Sequence, residues 1–362
     1  MTTFERHIFF RLLGGFLFLL LVLIVFFVLL HYVEYIDDFL DLGASFREVF
    51  LVYYPNYIPE IIKLVSPLAL FLTCIYLTSK LAQELQITAL MAAGVSLYRL
   101  LIPYLLTGIL ITGLMFWFNG WIVPQTNRTR IHFEMQYLKD APRKMETSNL
   151  ILQNKPGSLL LLSYFDPEQK IGYRISLLKL TSTHHRVEQR IDAARMQWID
   201  SLQHWRFYEN VWRTFTSDTF EIRQTLPVLD TTLLLLPRDL ARTERDIDLL
   251  TLPDAYKYIQ TLKRTGISQR GRQEVGYYNK FAYPFANLIL LLIAIPIAAT
   301  RRRGGQAVQL GIGLLIAFIY LAISKLMEPL GYAGEIPPAF TVWFPHFLFL
   351  LMALWLLYRQ SH

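Results

Sequence analysis

The sequence predicts an α-helical polytopic membrane protein with six transmembrane helices and an all-β domain inserted between helices 3 and 4. Three observations carry that prediction. Apolar and aromatic residues make up 54% of the 362 residues and charged residues only 17%, against about 25% in an ordinary soluble domain. The apolar residues gather into six stretches without formal charge, and roughly 20 such residues cross a bilayer as a helix. Between the third and fourth stretches, charges recur every few residues and short alternating runs replace the long apolar ones.

The stretches are Leu12 to Leu30, Leu64 to Ser79, Leu100 to Val123, Phe281 to Thr300, Gly304 to Ser324 and Ile336 to Tyr358. The second reaches membrane length when its helix starts near Tyr57, with Lys63 at the interface. The first follows Arg6 and Arg11 as a signal peptide would, but the bulky, acidic HYVEYIDD after it offers no small-residue cleavage site. A retained anchor is expected. Basic residues set the orientation. Arg6, Arg11, Lys80, Arg99, Arg301, Arg302, Arg303 and Arg359 fall on one set of connections. The opposite loop, from His31 to Glu60, holds Glu34, Asp37, Asp38, Asp41, Glu48 and Glu60 against Arg47 alone. Both termini are therefore expected in the cytoplasm and the insertion outside it. A soluble or secreted protein is excluded, and the net charge of +7 is too diffuse to argue for a nucleic-acid partner.

Within the insertion, NLILQNK, SLLLLSYF, YRISLLKL, RVEQRIDAARMQWI, HWRFYENVWRTF and TFEIRQTL alternate or are rich in strand formers, and KPG, FDPEQ and TSD punctuate them. Such spacing predicts a β-sandwich or jelly roll, although RVEQRIDAARM is equally helical by propensity. LPDAYKYIQTLKRTG then predicts a short amphipathic helix with Leu252, Ala255, Tyr258, Ile259 and Leu262 on one stripe and a glycine stop. The expected organisation is helices 1–3 over 1–125, with a cytoplasmic helix near 80–94. The β domain follows over 126–250, a connecting amphipathic helix over 251–276, and helices 4–6 over 277–362.

No GxxxxGK[ST] loop is present, so the chain does not hold ATP by that route. Neither a GxSxG elbow nor an HExxH motif occurs. Cys74 is the one cysteine, which excludes an intrachain disulfide and a cysteine cluster; it is expected to pack as a small apolar residue. The histidines are scattered, and His184 with His185 has no metal-ligand partner at useful spacing. No catalytic residue, metal or cofactor is expected. LGIG, from Leu310 to Gly313, is expected to serve close helix packing.

Ionisable residues at helix ends are the first candidate site, because charge is costly in hydrocarbon and faces a cavity or the interface. His31, Lys63, Arg128, Arg130 and Lys325, with Glu328 beside the last, fall at the outer ends. They are either snorkelling anchors or a basic cavity rim suited to phosphate and carboxylate head groups. The second candidate is SKLAQELQITALMAAGVSLYR. Leu81, Leu85, Thr88 or Ala89, and Ala92 follow helical spacing, Gly94 stops the helix and Ser96 caps the next. Such a helix either lies on lipid or docks into a cytoplasmic partner.

The tracts IPEIIKLVSPLALFL, KLAQELQITALMAAGVS, NKFAYPFANLILLLIAIPIAATRRRGG and GEIPPAFTVWFPH, in this order of spans, resemble the LptF/LptG (YjgP/YjgQ) permease family of lipopolysaccharide export. The resemblance covers nearly the whole chain, and WIVPQTNRTR leans toward the LptG side. It implies an inner-membrane ABC-transporter permease paired with a paralogous LptF/LptG permease above an LptB-like ATPase dimer. It also implies a periplasmic jelly-roll-like domain that passes lipopolysaccharide to LptC and LptA-like proteins. ATP hydrolysis would then belong to a partner chain, so this subunit is not an enzyme.

By the same resemblance, Glu84, Leu85, Gln86, Ala89 and Gly94 form the coupling helix. Related sequences usually carry an acid where Gln86 stands. Glu84 lies two residues away, about 200° round a helix. Either Gln86 keeps a neutral hydrogen bond, or the helix rotates, or the contact is made elsewhere. His31 is the closest match to a basic lipid contact in span one, and spans one, two and five are expected to line the cavity. Leu160 and Leu162 would offer lipid chains an apolar interior or an open strand edge. The alternative function is a MacB/FtsX-like mechanotransmission subunit or another lipid transporter.

Overall fold

The computed structural model describes residues 3–94, 97–139, 148–181, 186–217, 220–240, 246–264, 270–299 and 305–361. Ser96, His184, His185, the glycine stop after Thr265, and Arg301 to Arg303 lie outside these residues. The chain forms two compact units. One comprises Met1–Ala141, Ile247–Pro253 and Gly271–His362; the other comprises Pro142–Asp246 and Asp254–Arg270.

The first unit is helical. Helix α1 runs over Thr3–Asp41, and α2 over Phe46–Gln83 with a π-helical turn at Val49–Tyr53. The acidic segment expected as a loop is thus mostly helix. Carboxylates on a helix surface do not interrupt it, and the break is confined to Leu42 to Ser45, where Gly43 takes φ +74°. Ser45 and Glu48 then start α2 with a reciprocal capping box, the Glu48 amide donating to Ser45 Oγ and the Ser45 amide to Glu48 Oε2. Helix α3 is Gln86–Ala92. Helix α4, Leu97–Trp117, continues through a π turn at Phe118–Ile122 into α5, Val123–Tyr137. The polar tract after the third apolar stretch therefore prolongs a helix, where the sequence division placed it in the β domain.

Later come α8, Gly271–Ala282; α9, Phe285–Ala299; α10, Gly305–Ala333; and α11, Pro338–Ser361. Among the described residues five helices are long and apolar enough to cross a membrane. Helices α8 and α9 together make a further candidate, bent by 53°. The bend falls at Tyr283–Pro284, because proline lacks a donor and disfavours helical geometry in the residue before it.

Helices α2 and α9 form the centre. Ala286 to Ala298 of α9 are buried almost without interruption, packed with Leu70, Phe71, Ile75, Leu12, Phe16, Tyr104, Tyr320 and Ala353. Cys74 is buried within this core. Helices α1 and α10 instead leave apolar side chains bare, Phe18 by 70% and Leu326 by 73%. A Cβ at Gly313 would collide with Ile75 on α2, whereas one at Gly311 meets nothing, so only one glycine of the LGIG tract serves close packing.

The second unit carries β1 Ser148–Lys155, β2 Ser158–Asp166, β3 Ile171–Leu180, β4 Val187–Ile199, β5 His204–Ser217 and β6 Phe220–Thr231. They form one antiparallel sheet in sequential order. This is a meander, where alternation had suggested a two-sheet sandwich or jelly roll. The apolar face, with Leu160, Leu162, Phe165, Met196, Trp205 and Phe207, is covered instead by Leu235 and Leu240 of the chain after β6. Trp205 Nε1 donates to the Leu235 carbonyl at 2.7 Å, and Asp239 caps α6, Pro237–Leu240, by accepting from the Leu236 amide at 2.8 Å. RVEQRIDAARM lies in β4, where pairing on both sides overrides helix propensity. Helix α7, Leu252–Arg264, buries its predicted stripe of Leu252, Ala255, Tyr258, Ile259 and Leu262.

Gly313→Leu should lower the thermal stability of the full chain in detergent by about 1–3 kcal/mol, as overpacking does. Gly311→Leu, measured alongside, should leave it unchanged.

Candidate functional site

At the C-terminal end of α1, the N-terminal end of α2 and along α5, apolar helix surface gives way to aromatic and ionisable side chains. The π turn in α2 adds a residue to the helical repeat and so places Tyr53, Tyr54 and Tyr57 together around His31 of α1. Tyr53 Oη donates to Glu134 Oε1 at 3.2 Å, which uses its one proton. The contact between Tyr53 Oη and His31 Nε2, at 3.3 Å, must therefore have the imidazole as donor, leaving Nδ1 to accept from Tyr54 Oη at 3.3 Å. A neutral ring protonated on Nε2 satisfies both.

Beside it, Arg130 of α5 is 6% exposed and lies between two carboxylates: Nε is 3.1 Å from Glu134 and Nη1 is 4.0 Å from Glu60. Its guanidinium also covers the Tyr57 ring at 5.3 Å. Glu60 pairs with Lys63 one turn on, and accepts from Asn127 Nδ2 at 3.2 Å. The same Asn127 amide reaches the Asp248 carbonyl at 3.4 Å, and Arg128 Nε donates to the Leu249 carbonyl at 3.2 Å. Both fix the 3₁₀ turn Asp246–Leu249 against α5. Lys280 of α8 is buried within electrostatic reach of Glu60, Lys63 and Asp248.

The fold thus gathers His31, Lys63 and Arg130, with Arg128 alongside, and supplies carboxylates to the buried cation. Lys325 stands apart. It pairs with Glu328 at 3.0 Å on α10, and Glu328 also accepts from Tyr332 Oη at 3.1 Å and from Asn279 of α8 at 3.4 Å. Glu60, Glu134 and Lys280 were absent from the sequence-based site. Glu60 and Lys63 stand at helical i, i+3 spacing, as Arg130 and Glu134 do at i, i+4, so both pairs were visible in the sequence. The approach of α5 to α2 was not.

Beyond these ends, Lys139 Nζ lies 2.7 Å from Asp41 and 3.3 Å from Asp38, and these bonds raise its ammonium pKa above the ordinary value. They tie the chain after α5 to the end of α1.

The second candidate lies where α2 stops. Glu84 ends the helix, Leu85 takes the left-handed conformation at φ +58°, and α3 restarts at Gln86. The expected single helix over 80–94 is therefore broken, and the 200° separation of Glu84 from Gln86 does not apply. Gln86 Nε2 donates to Glu84 Oε2 at 2.8 Å, so the two side chains make one polar surface. Ile87 anchors α3 in the core, while Glu84, Leu85, Gln86, Ala89 and Gly94 are all exposed. Gly94, at φ +83°, is the expected stop.

Removing one member of the Arg130–Glu134 pair strands a buried charge, which costs about 3–5 kcal/mol, whereas replacing both by apolar residues costs much less. Glu134→Leu should therefore destabilise the full chain in detergent far more than the double variant Arg130→Met with Glu134→Leu, as thermal unfolding would record.

Comparison with known proteins gives a consistent answer. A family model, "Lipopolysaccharide export system permease LptF/LptG", matches residues 6–359. The lipopolysaccharide export permease LptG of Escherichia coli K12 is 21% identical over 306 residues, covering 84% of each chain. LptG of Haemophilus influenzae is 21% identical over 339 residues, covering 91% of each. With the match spanning both units and every long apolar helix, the chain belongs to the LptF/LptG family of lipopolysaccharide export permeases.

Proposed function

We propose that this chain is the membrane permease subunit of an ABC transporter that extracts lipopolysaccharide from the inner membrane and passes it to a periplasmic bridge. The observation that carries the reading is the family match across 6–359, joined to a sequence with no phosphate-binding loop of its own. A permease without an ATP site needs an ATPase partner, here an LptB-like dimer, and a paralogous permease to complete the cavity. In this reading α8 and α9 count as one span and make six. The termini are cytoplasmic, and the β unit is the periplasmic lobe that hands the lipid to LptC and LptA-like proteins.

Three features support the assignment of parts. Exposed Leu85 and Ala89, beside the polar Glu84–Gln86 pair and held by Ile87, offer apolar and polar contacts together to a partner's groove. The bare faces of α1 and α10 offer an acyl-compatible wall. Of the cations first grouped as a rim, Arg128 and Lys325 are the exposed ones, but Lys325 is paired with Glu328, so Arg128 is the one that meets lipid phosphates, while Lys63 and Arg130 hold the helices beneath it. In the sheet, β1 and β6 are the open edges. Pro227 removes a donor from β6, which leaves β1, with Ile151 exposed, as the better edge for strand addition.

Purification of the full chain from native membranes should bring down an ATPase, a second permease and bound lipopolysaccharide. Recovery of an ATPase without lipid would favour a mechanotransmission subunit instead. Leu85→Asp and Ala89→Asp should cut transport per ATP hydrolysed about tenfold or more, a loss of roughly 1.4 kcal/mol of coupling. Normal transport by an assembled complex carrying them would refute the docking role.

A further inference from the structure

In β2, Leu160, Leu162 and Phe165 are buried, a spacing that a regular two-residue repeat cannot produce. Strands β3, β4 and β5 have the same irregularity at the same level. Gly172 and Ile175 of β3, Ala193 and Met196 of β4, and Phe207 and Asn210 of β5 are buried, with two consecutive residues between them that are not. The ladders stay in register on both sides. Leu162, Ile175, Ala193, Asn210 and Leu226 are matched across the sheet, as are Tyr164, Tyr173, Arg195, Tyr208 and Val228. Between these rows, Ser163, Arg174, Ala194, Glu209 and Pro227 have no ladder partner.

A bulge normally sets two residues against one and bends a single strand. Here each strand from β2 to β6 carries its unpaired residue at the same level, so the register cancels while the geometry adds into a line across the sheet. Arg174 and Glu209 on that line adopt φ +52° and +56°, conformations that side chains other than glycine rarely accept. The outward side holds a cavity of about 340 Å³ bordered by Ser163, Arg174, Ser176, Asp192, Ala194 and Glu209. On the inward side, Gly172 leaves room for Leu162 and Met196, and a methionine adapts readily to changed packing.

We propose that the row Ser163–Arg174–Ala194–Glu209–Pro227 is a transverse hinge. The sheet flexes about it, widening or narrowing the apolar face that carries Leu160, Leu162, Phe165 and Phe207 while strand pairing persists on either side. Missing pairing makes this line the least resistant to bending, and residues held in strained conformations mark places where structure is poised to change. The hinge rests on the sheet alone and holds whether or not the export function does.

Electron–electron spin-distance measurement on the full chain in nanodiscs tests it. Cys74, the one native cysteine, is replaced by alanine. Spin labels are placed on opposite sides of the row at Lys155, the last residue of β1, and Glu168, in the turn after β2, and in a control at Lys155 and Thr225 on the same side of it. The cross-row distance distribution should be roughly twofold broader than the control, as expected for exchange between bent states. Arg174→Gly with Glu209→Gly should change it further without altering the control. A cross-row distribution as narrow as the control, and unmoved by the glycine pair, would overturn the hinge.

Discussion

A peptide backbone in hydrocarbon has to satisfy its own hydrogen bonds, and the helical unit is organised around that constraint. Irregular backbone is confined to places where partners remain. The π turns at Val49–Tyr53 and Phe118–Ile122 keep a ladder of bonds while shifting the faces of α2 and of the α4–α5 rod. At the Pro284 bend, the Tyr283 amide still donates to Asn279 and the Ala286 amide to Tyr283. With the backbone satisfied internally, association of helices depends on fit. Gly313 against Ile75, and Gly108 against Leu291, let rods approach where any side chain would hold them apart.

The same economy governs the charges. Arg130, Glu60 and Glu134 come from two helices, and each compensates another, so the cluster binds α2 to α5. A basic residue near a helix end is easily taken for a ligand contact when its neighbours in space are unknown. Once Glu60, Glu134 and Glu328 are placed, Lys63, Arg130 and Lys325 each have a carboxylate partner.

Much of the architecture was legible because it depends on composition over long windows. The apolar stretches survive as helices, and the alternating tracts survive as strands. What escaped depends on single residues or on distant partners. Acidic HYVEYIDD looked like a loop, although nothing in it breaks a helix before Gly43. A propensity argument could not tell β4 from a helix, since its pairing with β3 and β5 decides. The irregular row breaks strict alternation in β2 to β5, which is why no periodicity count recovers the inward set. Glu84 and Gln86 were treated as members of one helix because a left-handed Leu85 leaves no mark in a sequence pattern.

Chain order adds a consequence for how such a molecule is made. Helix α9 is the most enclosed element of the helical unit, yet it is encoded after the entire β insertion. During synthesis α1, α2 and α4 emerge first, and the inner faces bearing Phe71, Ile75 and Tyr104 have no α9 to close on until some hundred and fifty codons later, about 10–30 s at ordinary ribosome speed. The nascent helices must wait in the bilayer as an open shell. A truncation or stall anywhere in the β insertion would leave those apolar faces without the helix that closes on them.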